Sequence, residues 1–454
     1  MADPTIAVIG AGPAGIRATE ALAQHRLPVI VIDEAPKGGG QIYRQPPDAF
    51  RRSPSLRYGF EANKARALHT TIERLASAID YRPSTLAWNV WDRQLDTLRA
   101  GKTEKVPFDF LVIATGATDR VLPVPGWTLP GVYTLGGAQI ALKYQGCAIG
   151  HHTVFLGTGP LLYLVAYQYA KAGATVKAVL DVNAAAAKRR ALPALAWSPS
   201  MLAKGLYYRA WLGAHGVVVE DGVTPIVIHG NGGVSELTYR RAGVETTLRC
   251  DAIGLGFGLK AETQLADLAG CRFRFDRESR QWLPERNADG ESTISGVYVA
   301  GDGAGIGGAD AAELWGERVG LAIAARCGRP RDTTRIATID RQLARLAHLR
   351  EGLERAFPFP SQHVSTIRAD TILCRCESIR IGDAMAAIRV FDVIEMNRMK
   401  AVTRVGMGRC QGRMCSAAAA ELLATESRQD VAAVGRLRAQ PPVKPIPLPW
   451  SSPR

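Results

Sequence analysis

What the 454-residue chain lacks narrows its identity first. No apolar run reaches the roughly 20 uninterrupted residues of a membrane span. The most apolar stretch, Val154 to Ala170, is broken by Gly157, Gly159, Pro160 and Gln168. Basic clusters interleaved with stacking aromatics are missing: Arg51-Arg52, Lys188-Arg189-Arg190 and Arg240-Arg241 are short and scattered, and no finger or RNA-binding sheet motif accompanies them. The net charge of +14 therefore reads as a solvated basic surface or a docking face for an acidic protein, not as a nucleic-acid site. The first strand runs straight into a glycine motif with no basic n-region and no cleavage site, which makes the cytoplasm the expected compartment. Cysteine is sparse: eight residues in a chain of this size exclude a disulfide scaffold. With 47% apolar and 22% charged residues, global disorder is excluded as well, and the length suggests about three domains.

What is present begins with a complete βαβ opening. Ile6-Ala-Val-Ile9 is a strand, Gly10-Ala-Gly12-Pro-Ala-Gly15 a tight turn, Ile16 to Gln24 a helix, and Val29-Ile-Val-Ile32 a second strand closed by Asp33. Gly10 makes the turn, Gly12 admits a pyrophosphate to the backbone, and Gly15 lets helix and strand pack closely. The helix N-terminus then faces the phosphates with free N–H groups. Asp33, 18 residues after Gly15, is placed to accept from a ribose hydroxyl.

Three further segments follow in order: Gly38-Gly-Gly-Gln41-Ile-Tyr43, a strand ending in Ala114-Thr115-Gly116, and a late strand ending in Gly301-Asp302. With these the chain resembles the two-dinucleotide-fold flavoprotein reductases, the group that contains thioredoxin reductase. The resemblance implies that the first fingerprint and Thr115 hold FAD, that Gly301-Asp302 meets its ribityl and pyrophosphate, and that Gln41 lies near the flavin. A second fingerprint, Gly157-Thr-Gly159-Pro-Leu-Leu162, sits between two strands, the later one ending at Asp181. In those reductases this inserted domain binds NAD(P)H. Here Leu162 replaces the third glycine and should crowd the helix against the strand or block the nucleotide. Asp181 suits an unphosphorylated ribose, and three occupancies fit: NADH, another adenine nucleotide held structurally, or none. The redox Cys-x-x-Cys of the disulfide reductases is absent, so the flavin needs another electron acceptor.

Cys374-Arg-Cys376 and Cys410-Gln-Gly-Arg-Met-Cys415, with 33 residues between them, offer four thiolates on two short loops, a ligand count that suits a [2Fe–2S] cluster or tetrahedral zinc. Two short helices are expected at 380–389 and 390–400. A glycine-rich turn precedes Cys410, and a helix starting at Ser416 points its N-terminal dipole at the site. The run Cys-Arg-Cys-Glu, then Thr-Arg-x-Gly-Met-Gly-Arg-Cys-Gln-Gly-Arg-x-Cys, resembles the bacterioferritin-associated ferredoxin-like [2Fe–2S] domain. It has the form seen in the α subunits of bacterial heteromeric amine dehydrogenases: opine oxidases, hydroxyproline and proline dehydrogenases, and the hydrogen cyanide synthase subunit. The resemblance spans Ile6 to about Leu423.

The expected fold is thus α/β: two Rossmann-like domains, the second inserted in the first, and a small α-helical [2Fe–2S] domain. The expected divisions are a first FAD-binding part (1–125), the inserted nucleotide domain (126–285), a second FAD-binding part (286–330), a helical linker (331–364), the cluster domain (365–426) and an extended Pro-rich tail (427–454) that is disordered or lies along a partner. The resemblance implies an electron-transfer subunit whose partner, a β subunit with its own FAD, oxidises a secondary amine or imino acid. It also allows an FMN at a subunit junction, for which no motif is present, and a small γ subunit. A self-contained NADH-dependent reductase is the alternative, and a non-catalytic scaffold a third reading. No side chain in the sequence is a convincing substrate base.

Overall fold

The computed structural model describes residues 4–50 and 52–447. The strands Ile6–Ile9, Val29–Ile32 and Phe110–Ile113 show no polar alternation because both faces of their sheet are covered. They lie in the middle of a five-stranded parallel sheet ordered Val297–Val299, Phe110–Ile113, Ile6–Ile9, Val29–Ile32, Asp80–Arg82. Strand Val297–Val299 comes from far along the chain, so this sheet is completed only after the inserted domain has returned. The insertion carries its own five-stranded parallel sheet, ordered Val218–Asp221, Thr175–Asp181, His152–Thr158, Ala252–Phe257, Val132–Thr134. An antiparallel ribbon of Ala117–Asp119 and Leu259–Ala261 joins the two. Among the described residues no helix is long and apolar enough to cross a membrane.

Helix Pro13–Gln24, which opens the first fold, is clamped by helix Ala309–Arg326. The clamp depends on missing side chains: a Cβ on Gly316 would lie 2.0 Å from the Ala14 carbonyl oxygen, and one on Gly320 2.7 Å from that of Ala18. The pattern of apolar residues at 336, 339, 343, 346, 349 and 353 produces the long helix Thr333–Ala356. Leu349 and Ala356 pack against Ala191 and Leu195 of helix Ala185–Leu195, so this helix is seated on its own chain.

The cysteine-bearing region holds a small hairpin (Ile372–Cys374, Ile379–Arg380) and helices Ile381–Val390, Met396–Thr403 and Ser416–Ser427. The second helix begins later than the residue pattern suggests because Glu395 caps it, its carboxylate accepting from the Asn397 and Arg398 N–H groups at 2.9 Å each. This region has no separate core. Leu373, Met396, Met399 and Leu422 belong to the same apolar cluster as Val154, Leu156, Leu180 and Leu255 of the inserted sheet, and the Trp127 indole donates to the Ile372 carbonyl at 2.6 Å across the seam. The Pro-rich tail, as far as residue 447, lies back on the first domain: Val443 is buried and its N–H donates to the Trp88 carbonyl at 3.1 Å, while Lys444 pairs with Glu34. Residues 448–454 of that tail lie outside the described residues.

Gly316→Ala drives a methyl into the Ala14 backbone. It is expected to lower stability by about 1–3 kcal/mol and to reduce flavin content with it. Equilibrium urea unfolding checks this, and an unchanged midpoint would contradict the clamp.

Candidate functional site

The first fingerprint closes around Gly12. Gly10 takes φ +101°, and a Cβ there would lie 2.4 Å from the Ala114 carbonyl oxygen; one on Gly15 would lie 1.7 Å from that of Gly10. Gly12 is different, since a Cβ there would meet only the Gly40 Cα at 3.6 Å. Packing within the chain therefore demands glycine at 10 and 15, while Gly12 keeps the backbone open for a ligand. Among the described residues no side chain caps helix Pro13–Gln24, which leaves its first N–H groups open to an anion. The Asp33 carboxylate accepts from the Ala11 N–H and, at 2.6 Å, from the Ala35 N–H. Burial pushes its pKa up, against the pull of those two donors. Each oxygen keeps a lone-pair direction for a hydroxyl.

Asp302 accepts from the Gly307 and Gly308 N–H groups at 2.8 and 2.9 Å, shaping the turn ahead of helix Ala309–Arg326. Gly301 and Gly303 bring this turn against Ala14 and Thr115. Gln41 is exposed and accepts from Arg44 at 2.9 Å. Gly10, Gly12, Thr115 and Gly301 thus lie close together around the first turn, while Gln41 stays exposed beside Gly40.

The second fingerprint is different. Gly157 is again forced, since a Cβ would lie 1.7 Å from the Gly256 carbonyl oxygen. Leu162 is fully buried in the core with Phe155 and Tyr169. Asp181, placed by its sequence position to meet a ribose, is itself fully buried. Its carboxylate accepts from the Tyr163 hydroxyl at 2.9 Å and the Asn183 N–H at 2.9 Å, and pairs with Lys188 at 2.7 Å. Burial raises its pKa despite that lysine. Lys188 also reaches Asp221 at 2.5 Å, and Arg209 pairs with Asp221 at 2.9 Å. The Asn183 amide donates to Thr158 Oγ1 at 2.8 Å and to the Pro358 carbonyl at 2.9 Å, so the segment after the long helix covers the strand ends. In the sequence, Lys188-Arg189-Arg190 has the look of a surface patch. In the fold, Lys188 turns inward to neutralise two acids.

The four C-terminal cysteines come together as two pairs. Cys374 and Cys415 are buried and hydrogen-bonded to each other; Cys376 and Cys410 are half-buried and similarly paired. The Cys415 thiol, helped by the N–H groups of Gly406, Glu377 and Cys376, brings the Cys374 thiol down to about 6, whereas Cys415 is pushed up. Gly408 allows the approach, since a Cβ there would lie 2.3 Å from Cys376 Cβ. Among the described residues no three His, Cys, Asp or Glu side chains converge as a single-ion site.

The thiol loop is docked on the second strand of the joining ribbon and the residues just after it, and sequence reasoning missed this contact. Lys260 Nζ donates to Ser416 Oγ at 2.9 Å and the Gly412 carbonyl at 3.4 Å; the Glu262 carboxylate holds Arg413 at 2.6 and 3.2 Å; Gln264 donates to the Gln411 carbonyl at 2.7 Å. Desolvation brings the Lys260 ammonium down to about 8. No local pattern marked these three residues, since Lys260 lies on a strand, Glu262 just after it and Gln264 at the start of a short helix. From Glu262 the contact continues into the first fold, where the Thr115 hydroxyl donates to the Glu262 carbonyl at 2.6 Å.

Comparison with known proteins agrees with this architecture. Residues 4–326 match the pyridine nucleotide-disulphide oxidoreductase family and residues 380–451 the sarcosine oxidase A3 domain. The first match defines the class: a flavin-dependent oxidoreductase. Along nearly its whole length the chain belongs to the family of the opine oxidase A subunits. It is 37% identical to the member of that family from Rhizobium meliloti, over 97% of this chain and 96% of the relative. It is 32% identical to the hydrogen cyanide synthase subunit HcnB of Pseudomonas aeruginosa, over 97% of each. The crystal structure of L-proline dehydrogenase from P. horikoshii shares the fold, with a TM-score of 0.76 and 20% identity, covering 98% of this chain and 79% of that one.

Lys188→Met would leave Asp181 buried without its cation. A loss of roughly 3 kcal/mol is expected, most of it recovered in the Asp181→Asn/Lys188→Met double variant. Chemical denaturation of the three proteins checks this; a silent single variant would show that the network carries no charge.

Proposed function

We propose that this chain is the electron-transfer subunit of a heteromeric dehydrogenase that oxidises a secondary amine or imino acid, of the opine, proline or hydroxyproline class, in an FAD-containing partner subunit. What carries the reading is the docking of the Cys410–Cys415 loop, through Arg413, onto Glu262, whose carbonyl in turn holds Thr115 of the first dinucleotide fold. The relatives are named as an opine oxidase and a cyanide synthase subunit, which supports a C–N substrate and a partner chain.

Gly10, Gly12, Gly15 and the free N–H groups of the first helix would hold the FAD pyrophosphate, Asp33 the ribose, and Thr115, Gly301 and Asp302 the ribityl side of the cleft, with Gln41 at its rim. Cys374, Cys376, Cys410 and Cys415 would hold a [2Fe–2S] cluster, two thiolates to each iron, a donor set that the observed pairing suits. A bound flavin takes up an electron pair and such a cluster passes electrons singly, so a chain holding both separates the pair. Gly157, Gly159 and Asp181 serve structure in this reading: the Tyr163, Lys188 and Asn183 contacts take the place of a ribose.

The test uses the full chain purified without oxygen. Dithionite is expected to produce a [2Fe–2S] EPR signal that NADH does not. Cys410→Ser is expected to keep its flavin and lose iron and signal. A signal raised by NADH alone would instead make the chain a reductase in its own right, and unchanged iron in Cys410→Ser would remove the ligand assignment.

A further inference from the structure

We infer that Lys260 is a positioning residue that sets the charge environment of the thiol site, and so the reduction potential of the cluster held there. The inference rests on the cluster reading above and goes beyond it, because neither the cysteine motif nor the glycine fingerprints include this residue. Lys260 lies on strand Leu259–Ala261, paired in register with Thr118 of the ribbon. It is half-buried, and its ammonium is aimed into the Cys410–Ser416 loop, at Ser416 Oγ (2.9 Å) and the Gly412 carbonyl (3.4 Å).

Among the described residues no carboxylate lies within ion-pair distance of it. The nearest, Glu262, gives both oxygens to Arg413. Ser416, which it bonds, directly follows Cys415, and Gly412 lies two residues after Cys410, so the ammonium stands in the loop that carries two of the four thiols, with the Arg413 guanidinium as a second cation of that loop. A cation set among protein atoms without a carboxylate partner is costly unless an anion completes it. A cluster held by the four cysteines would supply such an anion, and one more negative charge when reduced. A fixed ammonium beside it favours the reduced form. The Ser416 hydroxyl bond holds that ammonium in place beside Cys415.

The test is an EPR-monitored redox titration of the full chain, with iron and flavin counted. Lys260→Gln is expected to keep iron and flavin while the reduced-to-oxidised ratio at a fixed potential falls about tenfold, which is about 59 mV for a one-electron couple. Lys260→Arg is expected to stay within about twofold of the parent. An unchanged potential in Lys260→Gln, or an equal fall in both variants, overturns the inference while leaving the cluster reading intact. A parent chain without a cluster overturns both. Should Lys260→Gln fail to hold iron, Lys260→Arg decides: a cluster at the parent's potential upholds the role of charge, and loss of the cluster there as well overturns it.

Discussion

The ion pair between Arg413 and Glu262 is the contact on which the arrangement of the thiol loop depends. Its side chains are only 13% and 12% exposed, so both charges have given up most of their water. Such a pair holds only where the remaining donors and acceptors are satisfied. Here they are: Arg413 also donates to the Val443 carbonyl at 2.6 Å and to the Cys410 carbonyl at 3.4 Å, and the Glu262 carbonyl accepts the Thr115 hydroxyl. One guanidinium therefore ties together the cysteine loop, the C-terminal tail and the end of the first fold. The net stability from the pair is small by the usual arithmetic of desolvation. What it supplies is register, since the planar guanidinium fork accepts the carboxylate in one orientation only.

The second dinucleotide fold keeps the shape of a binding scaffold while its strand-end acid is satisfied from within the chain. Its sheet, its glycine turn and its strand-end acid are all retained. The contacts of the acid come from this chain's own side chains. Tyr163, directly after the leucine that replaces a glycine, donates to Asp181, and Lys188 supplies the positive charge that an acid buried this deeply requires. Phe357 and Pro358 then cover the site, Phe357 facing Tyr163 and Lys188. The linker helix ends over this point, at Ala356.

The parts of this molecule that were legible in the sequence are those encoded locally. The strand–glycine–helix openings were readable because a continuous apolar run and a glycine that tolerates no Cβ report backbone geometry within a few residues. The long helix at 333–356 was readable from its period, and the four thiols from their spacing. The inward turn of Lys188, the docking of Val443 and the face formed by Lys260, Glu262 and Gln264 were not legible. Each is defined by a partner far away in sequence: Lys260 meets Ser416, and Glu262 meets Arg413. A charged residue carries no local mark of whether it faces solvent or another segment. The later start of helix Met396–Thr403 lies between these cases, because its cap is a local residue, Glu395, of a type that usually appears inside the first turn.

The shared core sets the final constraint. A cysteine region of about 60 residues would be marginal as an independent domain. Here its leucines and methionines complete the apolar cluster of the inserted sheet, and Arg280 adds a two-bond contact to Glu421 at 2.8 and 2.7 Å. To swing away as a mobile carrier, the region would have to expose that core and break the Arg413, Arg280 and Trp127 contacts together. The distance between the first fold and the thiols is therefore fixed by the same burial that holds the chain folded. An electron passing between them would meet a geometry set at folding, with Cys376 and Cys410 on the more open side of the site and Cys374 and Cys415 on the closed side.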